Sequence, residues 1–343
     1  FIERIKEDSV KISDILGAKY SIITGDPGSG KSTLLKYIAL AFVDGKESER
    51  LEISENKEFL PILFPIAAYA EGCKKESLTN LSLNEFIPLY FKSQGLPNLT
   101  PLFEKALRSR RALVLLDGLD EVTNETERKK MVSDISNFIG YDNFSDNTYL
   151  VTCRTASYTI TSRFEKIKDT DFSHYTIQPF DIDEIEVFFF KWYLCYEREI
   201  NKRIETAETE ADKSLKKMMF VVKNDKNIFT IATNPLMLTI LALIEHEGGE
   251  LPQDRGDLYA KCLRLLSGSW EKLRSLYESE KPEFTLGNKK ITEDFIVYYL
   301  GPIAFDMHEK AQPDIEYEVL KEELTKKFDL RNKDLLLSKE QAG

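Results

Sequence analysis

The chain is poor in the residues that most often build metal or redox sites. It holds three histidines and four cysteines in 343 residues, and Cys73, Cys153, Cys195 and Cys262 stand far apart, with no CxxC pair and no histidine at metal-ligand spacing. That excludes a zinc ribbon or finger and reads as reduced thiols in a cytosolic protein. Positive charge is in deficit as well: 47 Lys and Arg against 58 Asp and Glu leave a formal charge of −11. A broad electrostatic grip on nucleic acid needs clustered cations facing phosphates, so direct nucleic-acid binding is not expected. No apolar run approaches the ~18 residues of a membrane span; the nearest, 231–244, is interrupted by Thr233, Asn234 and Thr239, and no membrane role is expected. With only 16 Gly and 12 Pro, 42% hydrophobic and 31% charged residues, disordered and fibrous classes are excluded too.

What is present is enough chain for two domains, or three small ones, each with its own core. Short, β-branched apolar runs recur between amphipathic stretches: YSIIT (20–24), PILFPI (61–66), ALVLL (112–116), TYLVTC (148–153) and HYTIQP (174–179). Nearly continuous apolar strands alternating with helices predict an α/β domain, a parallel sheet covered by helices on both faces, over residues 1–180. Beyond Phe180 the strands stop. DIDEIEVFFFKWYLCYEREI (181–200) opens with Asp181 as a cap and acidic residues in its first turn. A charge-dense stretch (197–226) follows, then an apolar helix in NIFTIATNPLMLTILALIEHEGGE (227–250) that Gly248 and Gly249 end. Residues 181–250 therefore read as a small helical domain. From 251 onward helical segments (257–276, 291–308, 315–328) are divided by polar turns. The chain starts at Phe1 without an initiator Met or signal-like segment and stops at SKEQAG, which reads as part of a longer cytoplasmic protein.

The most specific signal is GDPGSGKS: Gly25, Asp26, Pro27, Gly28, Ser29, Gly30, Lys31 and Ser32, followed by Thr33. It satisfies GxxxxGK[ST] in full, with a strand before it and a helix opening at its end. Glycines allow successive backbone amides to turn inward around phosphate oxygens, and the helix adds its positive end. Lys31 reaches the β and γ phosphates, and Ser32 offers a hydroxyl to Mg²⁺. Such a site also requires an acidic residue at the end of a neighbouring strand. In ALVLLDGLDEV, Asp117 ends the strand and is the second metal candidate. Asp120 and Glu121 stand on the following loop, where either carboxylate would orient an attacking water. Arg154 ends the fourth strand, at the sheet edge where open α/β sheets bind ligands, and is a candidate sensor of the γ phosphate.

Together, GDPGSGKSTLL, LLDGLDE, VTCRT and NPLMLTILAL resemble the NACHT family of signal-transduction NTPases, within the STAND class of AAA+-related P-loop proteins. The small Gly118 directly after the metal aspartate, with Asp120 two positions on, is similar to the family's Walker B. LPQDRGDLYAKCLRLL and YYLGPIAFDMHEK look like segments that follow the helical domain in bacterial members. The resemblance implies that Lys31, Ser32 and Thr33 belong to Walker A, that Asp117, Asp120 and Glu121 belong to Walker B and that Arg154 is sensor 1. It places Pro235 on the helical-domain proline that packs near the adenine. It also implies a NACHT domain (1–180), a helical domain (181–250) and a C-terminally truncated winged-helix-like domain (251–343), between effector and sensor domains of the same chain. The cofactors implied are ATP or ADP with Mg²⁺, and self-association through the NACHT domain on activation is implied too, commonly in bacterial defence against phage.

The expected function is an ATP-gated switch that hydrolyses slowly and couples nucleotide state to domain rearrangement. The alternative is a remodelling ATPase of the AAA+ type with continuous turnover, for which Arg108, Arg110 and Arg111 in LRSRRALV are arginine-finger candidates; they read more simply as solvated. A small-molecule kinase leaves DGLDE and the long helical extension without a purpose. A DNA-reading helix in YEVLKEELTKKFDLRNKD (317–334) lacks a basic face. His308 reads as a helix-surface residue, and His174 and His246 have no evident catalytic partner.

Overall fold

Five runs of β-branched and aliphatic residues form the five parallel strands of one sheet: β1 (Tyr20–Gly25), β2 (Leu60–Pro65), β3 (Ala112–Asp117), β4 (Thr148–Arg154) and β5 (Ser173–Thr176). The computed structural model describes residues 10–53, 58–74, 81–122, 124–141, 144–158, 164, 170–200, 204–246, 260–261, 285–286, 289–290, 293–310, 315 and 318–327. Strand order is β2-β3-β4-β1-β5, parallel throughout. The three central strands are buried almost end to end, and the edge strands β2 and β5 are only partly covered. That is the burial expected of parallel strands that read as unbroken apolar runs.

The two sheet faces divide those runs by alternation. Tyr20, Ile22, Phe64, Val114, Leu116, Tyr149 and Val151 point to one face. Ile23, Leu113, Leu115 and Leu150 point to the other. The second face is covered by α1 (Ile12–Gly17), α2 (Lys31–Val43) and α3 (Glu47–Leu51), and the first by α4 (Ile66–Cys73), α5 (Leu83–Ser93), α6 (Thr100–Arg108) and α7 (Glu125–Gly140). Local chemistry marks the helix starts. Ser82 and Glu85 form a capping box on α5, and Asn124 Oδ1 accepts the Thr126 and Glu127 amides at α7.

Asn147 fastens the lower edge of the sheet. Its Oδ1 accepts the Ala112 amide at 2.9 Å, while Nδ2 donates to the carbonyls of Leu107 at 2.8 Å and Phe144 at 3.0 Å. The side chain is fully buried. Asn147→Ala therefore strands the buried Ala112 amide, while the Leu107 carbonyl keeps the Arg110 amide and the Phe144 carbonyl keeps the backbone amide of position 147 and the Tyr149 hydroxyl. It should lower stability by about 1–3 kcal/mol, read as a fall in the denaturant midpoint. A loss under ~1 kcal/mol would mean that water replaces the amide.

The chain divides into two compact units, Phe1–Pro179 and Phe180–Gly343. In the second, α8 (Ile182–Ile200), α9 (Ile204–Asn224), α10 (Lys226–Ala232) and α11 (Pro235–His246) enclose a separate apolar core. Asp181 Oδ1 accepts the amides of Asp183 and Glu184, and Glu184 Oε2 accepts the Asp181 amide, so α8 begins on a reciprocal cap. Ile185, Phe189 and Tyr193 then share its buried face. The charge-dense stretch is the helix α9, whose single apolar stripe of Ala211, Leu215, Met218 and Val222 is buried.

Within the apolar stretch read as helical at 227–250, the described residues form two helices, α10 and α11, set 119° apart. Pro235 has no amide hydrogen and disfavours helical backbone at the residue before it. Asn234 Oδ1 instead accepts the amides of Leu236 and Met237 and restarts the helix, leaving Pro235 as its first residue. No single helix among the described residues is long and apolar enough to cross a membrane.

Further along are a two-stranded antiparallel pair, β6 (Thr285–Leu286) and β7 (Lys289–Lys290), α12 (Glu293–Glu309), and a helical stretch at 318–327. Gly248, Gly249, Cys262 and most of 251–343, including nearly all of the helical segment expected at 257–276, lie outside the described residues.

Candidate functional site

The register of the central strands sets the site. Gly25 of β1 stands level with Arg154 of β4, and Asp117 is the last residue of β3, the strand on β4's other side. Three chain reversals thus meet at one edge of the sheet, the carboxyl edge where open α/β folds bind ligands.

The first reversal is the glycine loop. Gly28 and Gly30 have φ of 77° and 96°, left-handed values that glycine adopts without steric cost. A Cβ on Gly25 would sit 2.6 Å from Ser29 Oγ. Gly30 is the N-cap of α2 and offers no side chain to its first-turn amides, which leaves them for an anion. Ser29 Oγ is buried with no hydrogen-bond partner among the described residues. Both features fit a phosphate cradle.

Lys31, the first residue of α2, folds back over this loop, with Nζ donating to the carbonyls of Gly25 at 2.8 Å and Asp26 at 3.1 Å. Partial burial pulls its pKa below the ordinary lysine value; Asp120 opposes that shift and Arg154 reinforces it. Asp26 and Pro27 are exposed on the loop, and Ser32 and Thr33 are exposed on the first turn of α2.

The second reversal follows β3. Asp117 is partly exposed, and Gly118 (φ 77°) starts a 3₁₀ turn, Leu119–Glu121. That turn sends its two acidic side chains different ways. Asp120 is buried, with Oδ1 accepting the Arg154 amide at 2.9 Å and Oδ2 accepting Arg154 Nε at 2.8 Å. Glu121 folds its carboxyl over Gly118, where a Cβ would come within 2.8 Å of Glu121 Cδ. Partial burial, with Asp117 and Asp120 adding to it, raises the Glu121 pKa above the usual carboxylate value, and Arg154 offsets part of this.

The third reversal, the end of β4, supplies two side chains from one face of the strand. Arg154 holds Asp120 as described. Two residues earlier the buried Thr152 Oγ1 donates to Asp117 Oδ1 at 2.6 Å and accepts the Gly118 amide at 2.8 Å. Thr152 was not singled out from the sequence; its one signal there is a hydroxyl inside an apolar strand, two positions before the arginine. Between them, Cys153 is buried and its thiol pKa is pushed up to about 12, chiefly by burial, so it is an inert wall.

Asp117 and the Ser32 hydroxyl form a sparse oxygen donor set. Among the described residues no group of three or more His, Cys, Asp or Glu would hold a metal by itself. A sparse oxygen set fits Mg²⁺, which keeps several waters and takes ligands from nucleotide phosphates.

Other candidates stand elsewhere. Pro235 begins α11 in the second unit. Arg108, Arg110 and Arg111 lie just before β3, at the amino edge of the sheet and away from its own glycine loop; Arg110 pairs with Asp146 and Arg111 with Glu58, both in exposed ion pairs. His174 lies against Tyr158, His246 against Tyr196, and His308 is exposed near the end of α12.

Comparison with known proteins agrees with the loop chemistry. A family model for the NACHT domain matches residues 19–194, just over half of the chain. No curated protein matches. Among solved structures, the Aeropyrum pernix ORC1 protein in complex with DNA is similar at a TM-score of 0.37 and 11% identity, with 89% of this chain and 86% of that one covered. Drosophila ORC bound to DNA gives 0.35 and 11%, covering 90% and 80%. The family match spans every strand and every loop of the site just described, and the chain belongs to the NACHT-domain family of P-loop proteins.

Proposed function

We propose that the protein is an ATP-binding, slowly hydrolysing signalling switch, with a nucleotide domain at 1–180, a helical domain at 181–250 and a winged-helix-like domain at 251–343. One observation carries this reading: Lys31, Asp117, Glu121 and the Arg154–Asp120 pair converge on the glycine loop at one sheet edge. Loop amides and Lys31 bind the phosphates, Ser32 and Asp117 hold Mg²⁺, and Glu121 orients the water. Bound Mg²⁺ would neutralise phosphate charge as it develops on hydrolysis. Arg154, fixed through its backbone and Nε to Asp120, presents guanidinium charge toward the γ phosphate.

A switch acts by contacting two global states differently, so it needs no fast chemistry. The reading extends to self-association of the nucleotide domain on activation, to effector and sensor domains of the same protein, and to a cytoplasmic role in bacterial antiphage defence.

The test is to extract and identify any nucleotide that co-purifies, then follow hydrolysis with added ATP and Mg²⁺. Retained ADP with turnover well below the ~1–100 s⁻¹ of dedicated phosphoryl-transfer enzymes is the expected result. An empty site with fast turnover that climbs with protein concentration would replace the switch by a remodelling ATPase.

A further inference from the structure

Asp117 is not held by its own strand. Its Oδ1 accepts a 2.6 Å hydrogen bond from Thr152 Oγ1, across the β3–β4 boundary, while that same hydroxyl accepts the Gly118 amide at 2.8 Å. A threonine hydroxyl carries one proton. An ionised carboxylate only accepts, and the amide only donates, so the Thr152 proton is committed to Asp117 and the rotor has one satisfied orientation. Thr152 itself is fully buried, and its β-branched χ1 is stiff. One oxygen of Asp117 is thereby tied to the sheet, and Oδ2 is left as the oxygen for a cation.

Resting on the nucleotide-binding reading, we infer that Thr152 is a positioning residue for the divalent cation: by fixing the Asp117 carboxylate it sets the affinity of the site for Mg²⁺. A partner that orients a ligating carboxylate typically contributes 10–100-fold in metal affinity. A purely structural threonine would affect folding and leave metal affinity alone. The two roles therefore separate experimentally.

Mn²⁺ replaces Mg²⁺ as a paramagnetic probe, titrated into the full chain with saturating ADP and followed by electron paramagnetic resonance. Thr152→Val removes the hydroxyl at nearly constant volume, and it should weaken Mn²⁺ binding by about 10–100-fold. ADP affinity measured in EDTA should stay within about threefold of wild type, since Thr152 touches no phosphate-binding group, and Thr152→Ser should restore most of the Mn²⁺ affinity. Should valine prevent folding, Thr152→Cys offers a weak thiol donor at the same position and is expected to lose about 10-fold in Mn²⁺ affinity, towards the lower end of that range.

Unchanged Mn²⁺ affinity in a folded valine or cysteine variant overturns the inference and leaves the nucleotide site intact. Equal loss of ADP affinity with and without metal overturns it as well, because the defect would then lie in the loop. Wild-type protein that takes up neither ADP nor Mn²⁺·ADP would overturn the nucleotide-binding reading itself, and the inference with it.

Discussion

Lys31→Ala is expected to weaken ADP and ATP binding by on the order of 100-fold or more, measured by calorimetry or a fluorescent nucleotide, because removing one partner of a desolvated charge pair costs roughly 2–5 kcal/mol. Two features make the loss large. The ammonium is partly buried and held over the loop by the carbonyls of Gly25 and Asp26, so it is already positioned where phosphates arrive and needs little further ordering. Once the side chain is gone, those same two carbonyls face the incoming anion with no cation between. Lys31→Arg should not rescue, because a planar fork does not fit a place shaped for a compact ammonium. The side chain is only partly buried and its bonds are to loop carbonyls, so the melting temperature without nucleotide should scarcely move. Nucleotide affinity within about threefold of wild type would remove Lys31 from the phosphate site.

How far the sequence could disclose this arrangement depends on the range over which each signal acts. The glycine loop was legible because its geometry is local: fixed spacing, left-handed glycines and the helix start all lie within eight residues. The five strands were legible for a similar reason, since burial on both faces leaves unbroken apolar runs. Helix α9 was obscured by its charges, which lie on the solvent side of a narrow apolar stripe, and the α10–α11 bend was masked by apolar residues on both sides of Asn234–Pro235. Thr152 could not be assigned a role from the sequence, because its value comes from the β3–β4 pairing, which places its hydroxyl within reach of Asp117 and Gly118. A lone threonine in a strand carries no periodic signal.

Asp120 and Glu121 are adjacent carboxylates that the sequence does not tell apart, and the left-handed turn at Gly118 separates their fates. Glu121→Gln should spare nucleotide binding and slow turnover by about 10²–10⁴-fold, the range for losing a general base. Its carboxyl lies beside Asp117 and its pKa is raised, as suits a group that must take a proton from water. Asp120→Asn should behave differently, because both carboxylate oxygens are engaged by Arg154, and an amide in their place leaves a buried donor facing guanidinium. Since Arg154 is partly exposed, the expected destabilisation is discounted to about 1–3 kcal/mol, with turnover falling indirectly as the arginine loses its position. Thermal melts and single-turnover hydrolysis on both variants separate the roles. If Asp120→Asn melts like wild type yet loses turnover as Glu121→Gln was expected to, while Glu121→Gln stays active, the assignment is reversed and the water is oriented from the buried side of the turn.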